Sequence, residues 1–325
     1  MNNFKKIGLT ALAASLVSVS ANAGEMSVAG SASVGIDSHT SNEGGKNITM
    51  GNQLTFTGGG ELDNGLNVAI SFVIDQGDET VAGGSGTSPF DSHSITISSD
   101  AMGTIVIAGE GAGNAQSALD TTAAGDIWNN GFKAGAADTL YVAMNGSDAT
   151  SNKTINYTLP TLMEGVSVSA SYGASGTGVK ATSAFGVTYT GVEGLSVSYG
   201  VGEDGSTVTT ESGDLTTMKA SYAIGSFTAA YSNTESDLDS TGLDEEMSSF
   251  QLSYTVSDNL SISYGEETHE TNGQPVDEEF SAISVSYTTG GMTLSAVQMD
   301  AKGLANTAGV IGETERWKLG ASFAF

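Results

Sequence analysis

Three histidines have carboxylates close in sequence: Asp37 and Glu43 flank His39, Asp91 precedes His93, and Glu266, Glu267 and Glu270 surround His269. Serines are plentiful, so residue types alone permit hydrolysis by a Ser-His-Asp arrangement. No serine stands in a recognisable nucleophile motif, and solvated loop histidines account for these positions equally well. The acidic run from Asp237 to Glu246 opens as a calcium loop does, with Asp237 and Asp239 at its first and third positions and Gly242 at its sixth. Its twelfth position is Ser248 instead of the bidentate glutamate that closes such a loop. Asp237, Asp239 and Asp244 therefore remain candidates only for loose capture of calcium or magnesium, against the alternative of a solvated acidic loop. Gly202-Glu-Asp-Gly205 and Gly109-Glu-Gly111 precede no helical pattern and read as turns, not phosphate cradles. The chain has no cysteine, which removes thiol catalysis, disulfides and thiolate metal sites.

What remains is charge. Of 325 residues, 37 are acidic and 10 basic, and two of the basic ones, Lys5 and Lys6, stand at the extreme N-terminus. There Met1-Asn-Asn-Phe-Lys-Lys leads into an apolar run from Ile7 to Val19 and then Ala21-Asn22-Ala23. This is the pattern of a cleaved signal peptide over 1–23, too short for the roughly 20 apolar residues of a membrane helix. The mature chain, 24–325, then sets 8 basic residues against 37 acidic ones, which excludes nucleic acid as a partner. Glycine is abundant at 44 and proline scarce at 3, a composition suited to many pleated strands.

The elements that would carry these charges follow from the turn residues. Short turns recur at Asp63 to Gly65, Ser99 to Gly103, Pro160 to Gly165, Gly191 to Gly194, Ile224 to Ser226, Ser257 to Asn259 and Thr289 to Gly291. Longer polar connections alternate with them, near 38–45, 76–90, 111–151, 174–179, 203–213, 236–246, 270–277 and 301–312. Sixteen strands result, an even number, with short turns at one end and long loops at the other. Between the turns, Phe250, Leu252, Tyr254 and Val256 oppose Gln251, Ser253 and Thr255, and Leu260, Ile262 and Tyr264 oppose Ser261 and Ser263. The polar side suits a wet lumen better than a dry core. Tyr157, Tyr189, Tyr222, Tyr254 and Tyr287 follow one another at intervals of 32, 33, 32 and 33 residues, just before the short turns. Tyr199, Tyr231 and Tyr264 form a second set just after them. Aromatic rings at both levels are what a membrane barrel needs at its two water boundaries. A soluble β-solenoid or adhesin shares the composition but repeats one short unit without this contrast of loop lengths.

The last strand, Glu313 to Phe325, puts Trp317, Leu319, Ala321, Phe323 and Phe325 on one face and ends the chain in phenylalanine. This resembles the assembly signal of bacterial outer-membrane proteins, with Phe325 read by their assembly machinery. Together with the strand count, the start at Gly24-Glu-Met-Ser-Val-Ala-Gly-Ser-Ala-Ser-Val-Gly and the long third loop, residues 24–325 resemble a Gram-negative general porin. The resemblance implies an all-β, 16-stranded antiparallel transmembrane barrel in the bacterial outer membrane. It also implies a homotrimer that passes small hydrophilic solutes by diffusion and has no catalytic activity. Its third loop would fold inward and constrict the lumen, and the candidate is 111–151, with Asp120, Asp126, Asp138, Asp148 and one cation, Lys133. Family members oppose this loop with a basic cluster on the wall. Here strand parity puts Lys180, Lys219, Arg316 and Lys318 inward but on widely separated strands, and strands 47–61, 66–75 and 91–99 have no Lys or Arg in their middles.

With acids in excess, a cation-preferring channel is expected, its preference strongest at low salt. The alternatives are a channel tuned to one solute class, which demands a cationic constriction, and an outer-membrane hydrolase or adhesin barrel. Contact with outer-membrane lipid is implied as well, including lipopolysaccharide bridged through divalent cations. Ala29, Ser31 and Ser33 read as a flat patch of small outward residues compatible with trimer contacts.

Overall fold

The computed structural model describes residues 26–39, 45–75, 90–110, 113–130, 132, 153–174, 181–203, 213–238, 244–304 and 314–325. The strands are β1 (Met26–His39), β2 (Gly45–Glu61), β3 (Asn67–Asp75), β4 (Phe90–Ser99), β5 (Gly103–Glu110), β6 (Thr154–Thr158), β7 (Val166–Gly173) and β8 (Thr182–Tyr189). They continue as β9 (Leu195–Glu203), β10 (Gly213–Ile224), β11 (Phe227–Leu238), β12 (Glu245–Ser257), β13 (Leu260–Thr271), β14 (Glu278–Thr289), β15 (Met292–Lys302) and β16 (Thr314–Ala324). Each pairs antiparallel with its sequence neighbours, and β1 pairs with β16, so the sheet closes into a sixteen-stranded barrel. Closure leaves no strand edge unpaired, the condition for backbone to cross lipid in strands.

The seven short turns fall where the sequence places them. Between β10 and β11 only Gly225 and Ser226 intervene, and Gly225 has φ +60, the left-handed conformation that a two-residue hairpin turn requires at its first position. At the seam, the Gly30 N–H donates to the Phe325 carbonyl at 2.7 Å and the Phe325 N–H donates back to the Gly30 carbonyl at 3.0 Å. The Phe325 ring lies over Gly30, where a Cβ would come within 2.3 Å of a ring carbon. The last residue of the chain thus covers a glycine in the first strand.

Burial is inverted relative to a soluble protein. On β12, Phe250, Leu252, Tyr254 and Val256 are exposed on the outer face, while Glu245, Met247 and Ser249 are buried on the inner one. The inner face is set on β1 by Asp37, whose carboxylate bonds Arg316, a residue that also reaches the third loop. Ala29, Ser31 and Ser33 share the parity of Asp37 and so face the lumen, whereas Val34 and Ile36 face out. The small-residue patch expected on the outside of β1 is therefore internal. The aromatic ladder is also incomplete: no tyrosine or tryptophan occurs before Trp128, so β1–β5 carry none.

Candidate functional site: the third loop inside the barrel

After β5, residues 113–130 and 132 of loop three lie against the inner wall, crossing it strand by strand in chain order. Its start is a turn closed by Asn114, whose Oδ1 accepts the N–H groups of Gln116 at 2.9 Å and Ser117 at 2.7 Å. The Ala115 N–H donates to Ser171 Oγ on β7 at 2.9 Å, and Gln116 Nε2 donates to Thr217 Oγ1 on β10 at 2.9 Å. Between those strands the loop rests on glycines. A Cβ at Gly186 would lie 2.8 Å from the Ala115 carbonyl oxygen, and one at Gly202 would lie 3.1 Å from Gln116 Cβ. Only residues without side chains let backbone and wall approach so closely.

Further along, the Ala123 N–H donates to Ser232 Oγ on β11 at 2.7 Å and the Ala124 N–H to Ser249 Oγ on β12 at 2.9 Å. Glu267 on β13, 2 % exposed, then accepts three donors. These are the N–H groups of Ile127 at 3.0 Å and Trp128 at 2.8 Å, and the Thr122 hydroxyl. Trp128 opens into an apolar clasp in which Ile127, Trp128 and Phe132 pack with Met247 on β12, Phe280 on β14, and Met299 and Ala301 on β15. The loop is thus fixed both by hydrogen bonds to wall hydroxyls and a carboxylate and by a small dry core inside the lumen.

The cations expected inward at Lys219, Arg316 and Lys318 do face inward, and each reaches the loop. Lys219 Nζ donates to the Thr121 carbonyl at 2.6 Å. Arg316 donates to the Asn130 carbonyl and, through Nη2, to Asp37 Oδ2 at 2.7 Å. Lys318 Nζ donates to Asn130 Oδ1 at 2.8 Å. Each of the three therefore spends donors on loop three, and Arg316 also spends donors on β1. Of the loop's carboxylates, Asp126 sits at φ +57 with its Oδ1 accepting the Thr122 N–H at 2.9 Å, while its own N–H donates to Thr122 Oγ1 at 2.7 Å. Asp120 is half-buried. Burial, reinforced by the Asp126 charge and opposed by Lys219, pushes its carboxyl up from 3.8 to about 7. Asp138, Lys133, Asp148 and Lys180 lie outside the described residues.

Of the residues read as calcium candidates, Asp237 is exposed on β11 opposite Asp214, Asp244 precedes β12, and Asp239 lies outside the described residues. Among the described residues no three His, Asp or Glu side chains are grouped to hold a metal ion. The histidines divide. His93 is exposed on the outer side of β4. His269 is not a solvated loop residue: β13 runs on through it to Thr271, and it is 0 % exposed. Its Nδ1 is 2.9 Å from Glu278 Oε2, and its Nε2 is 3.7 Å from Glu245 Oε2. An imidazole held between two buried carboxylates in the wall is out of reach of a substrate. Sequence reasoning missed Glu267 and the apolar clasp. The available signal was Met247, Phe280 and Met299, three apolar residues at inward parity near the long-loop ends of neighbouring strands.

A model of a family described as Gram-negative porin matches residues 8–299. No curated protein sequence matches the chain. Among solved structures, OmpF of Salmonella typhi, in complex with daunomycin, superposes with a TM-score of 0.70 at 11% identity, covering 92% of this chain and 97% of its own. The anion-selective porin from Comamonas acidovorans gives 0.65 at 16% identity, with 93% and 99% covered. OmpT, an outer membrane protein of Vibrio cholerae in its trimer form, gives 0.64 at 14% identity, with 94% and 100% covered. At these identities the likeness is one of fold.

Proposed function

The chain belongs to the Gram-negative porin family, a family of the bacterial outer membrane, and on that premise we propose that it is a cation-preferring diffusion channel constricted by its third loop. The observation that carries this reading is the course of the loop's described residues along the inner wall from β7 to β16, with Asp120 and Asp126 on it and wall cations bonded to its Thr121 carbonyl and to Asn130. Inward positions on the far side, such as Ser31, Ser33, Gln53, Ser71, Ser94 and Asn156, are hydroxyls and amides. A water-filled passage between an acidic loop and a wall lined mainly by hydroxyls and amides, with Asp75 at inward parity on β3, passes small hydrophilic solutes, concentrates cations and repels anions. A channel tuned to anions needs free cations at the constriction, and Lys219, Arg316 and Lys318 spend donors on Thr121, Asn130 and Asp37. An enzymatic reading has no support from His269, which is enclosed.

The protein assembles as a homotrimer through the outer face of β1–β5. That face exposes Val34, Ile36, Ile48, Met50, Leu54 and Ile70 yet lacks the tyrosines that mark the water boundaries on later strands. An apolar face without tyrosine or tryptophan at the water boundaries is suited to other protomers rather than to lipid. The remaining strands face lipid and, at the long-loop end, lipopolysaccharide. Phe325, 76 % exposed with its ring over Gly30, serves as the handle for the assembly machinery.

The test is single-channel recording of residues 24–325 refolded into planar bilayers, with reversal potentials across a potassium chloride gradient. Conductance in steps of three with cation preference that weakens as salt rises supports the reading. Folded protein that carries no current, or prefers chloride, overturns it.

A further inference from the structure

We propose that Glu267 is the positioning residue of the constriction, the group that sets how far loop three stands out from the wall. The inference rests on the channel reading above and deepens it. A loop inside a wide barrel has two stable places to be, against the wall or out in the water, and its backbone N–H groups are satisfied equally well by either. The balance is decided by acceptors that water cannot match. Most wall acceptors of loop three are single neutral hydroxyls, at Ser171, Thr217, Ser232 and Ser249. Glu267 alone among these partners is a carboxylate, and it gathers donors from Thr122, Ile127 and Trp128, residues spread over the acidic turn.

The Thr122 hydroxyl that donates to Glu267 also accepts the Asp126 N–H, and Asp126 in turn accepts the Thr122 N–H. The carboxylate therefore fixes the turn that carries Asp126 and lies next to Asp120. Its two backbone donors come from the residues that enter the apolar clasp, so hydrogen bonding and packing act on the same two positions. Hydrogen bonds to a charged acceptor are worth about 1.5 to 3 kcal/mol, or roughly tenfold or more each in the ratio of pinned to released loop.

The chain's lack of cysteine gives a direct test. Glu267→Ala should release 122–128, and it is expected to change single-pore conductance and add slow current fluctuations absent from the unaltered protein. Glu267→Gln keeps one acceptor oxygen and should fall between the two; it also serves if the alanine variant fails to fold. Rescue separates positioning from bulk stability. A Cβ at Gly265 would lie 2.6 Å from Ala124 Cβ, so an Ala124→Cys, Gly265→Cys pair needs to open by about 1 Å to reach disulfide geometry. In the Glu267→Ala background, oxidising this pair should restore the original conductance and cation-to-anion permeability ratio, and reduction should abolish the restoration. The same pair in an otherwise unaltered chain supplies the conductance against which the restoration is read. Folded Glu267→Ala or Glu267→Gln with unchanged conductance and quiet current overturns the proposal, as does an oxidised pair that restores nothing. Failure of the unaltered protein to conduct would instead overturn the channel reading itself.

Discussion

Replacing Asp120 by asparagine tests the electrostatics of the loop at one atom pair. Asp120 lies close to Asp126 and Lys219, and its carboxyl titrates near pH 7 because burial and Asp126 both penalise the charged form. Above that pH the three groups carry a net single negative charge; below it Asp120 is protonated and Lys219 balances Asp126. One charge roughly 6 Å from a passing ion is worth about 0.7 kcal/mol in water. At 0.1 M salt, with a screening length of about 10 Å, about 0.4 kcal/mol is left. That is a factor of about two for the cation and about one half for the anion, so the permeability ratio should change about fourfold; at 1 M, where the screening length is about 3 Å, the change should be under about 1.5-fold. The sign is fixed, because a carboxyl with a raised pKa is charged only above it: cation preference is full at pH 8 and falls on acidification to pH 6. The assay is the reversal potential across a potassium chloride gradient at 0.1 M mean salt, read from pH 8 to pH 5.5. Asp120→Asn should remove the step near pH 7 and hold the ratio at its acid value. A flat profile for the unaltered chain, or a step that survives Asp120→Asn, would refute the reasoning.

Three further outcomes are expected. Arg316→Met leaves Asp37 charged and largely enclosed without its partner 2.7 Å away, and denaturant unfolding of the barrel in lipid should show a loss of about 3 to 5 kcal/mol. Gly103→Ala places a Cβ 2.3 Å from the Thr158 carbonyl oxygen on a backbone with φ +81, and the same unfolding measurement should show a loss of more than about 1 kcal/mol. Gly30→Leu displaces the Phe325 ring from the seam; refolding yield into vesicles should fall while the far-UV β signal of the folded fraction stays unchanged.

The topology was legible because each of its signals is local. Turn residues and two-residue alternation survive averaging over sixteen strands, and tyrosines one hairpin apart mark the strands from β6 on. Where alternation is weak the reading slipped: around Ala29, Ser31 and Ser33 both faces of β1 are small, and a one-residue error in parity inverts the face. The long-loop ends of strands were harder still, because Glu266 to Thr271 is as polar as a loop, and so His269 looked solvated although β13 carries it under cover. The site divides along the same line. Inward parity sufficed to find Lys219, Arg316 and Lys318, but their partners are backbone carbonyls and an asparagine on a loop whose path no periodicity encodes. The clasp of Met247, Phe280 and Met299 contradicts the pattern of a wet lumen, and such local contradictions mark places where another part of the chain must fit.

The pairing of Gly30 with Phe325 also dictates when this protein can exist as a folded object. Every other ladder joins strands adjacent in sequence, whereas β1 and β16 meet only after nearly the whole chain has been made. Until then a growing barrel exposes two open edges, each a template for pairing with another molecule. Folding during synthesis is therefore the hazardous route, and folding after release of the complete chain the safe one. The excess of 37 acidic over 10 basic residues works in the same direction, since mutual repulsion keeps waiting chains extended and apart. At the seam, a chain stopped before β16 lacks Phe325, the residue that bonds Gly30.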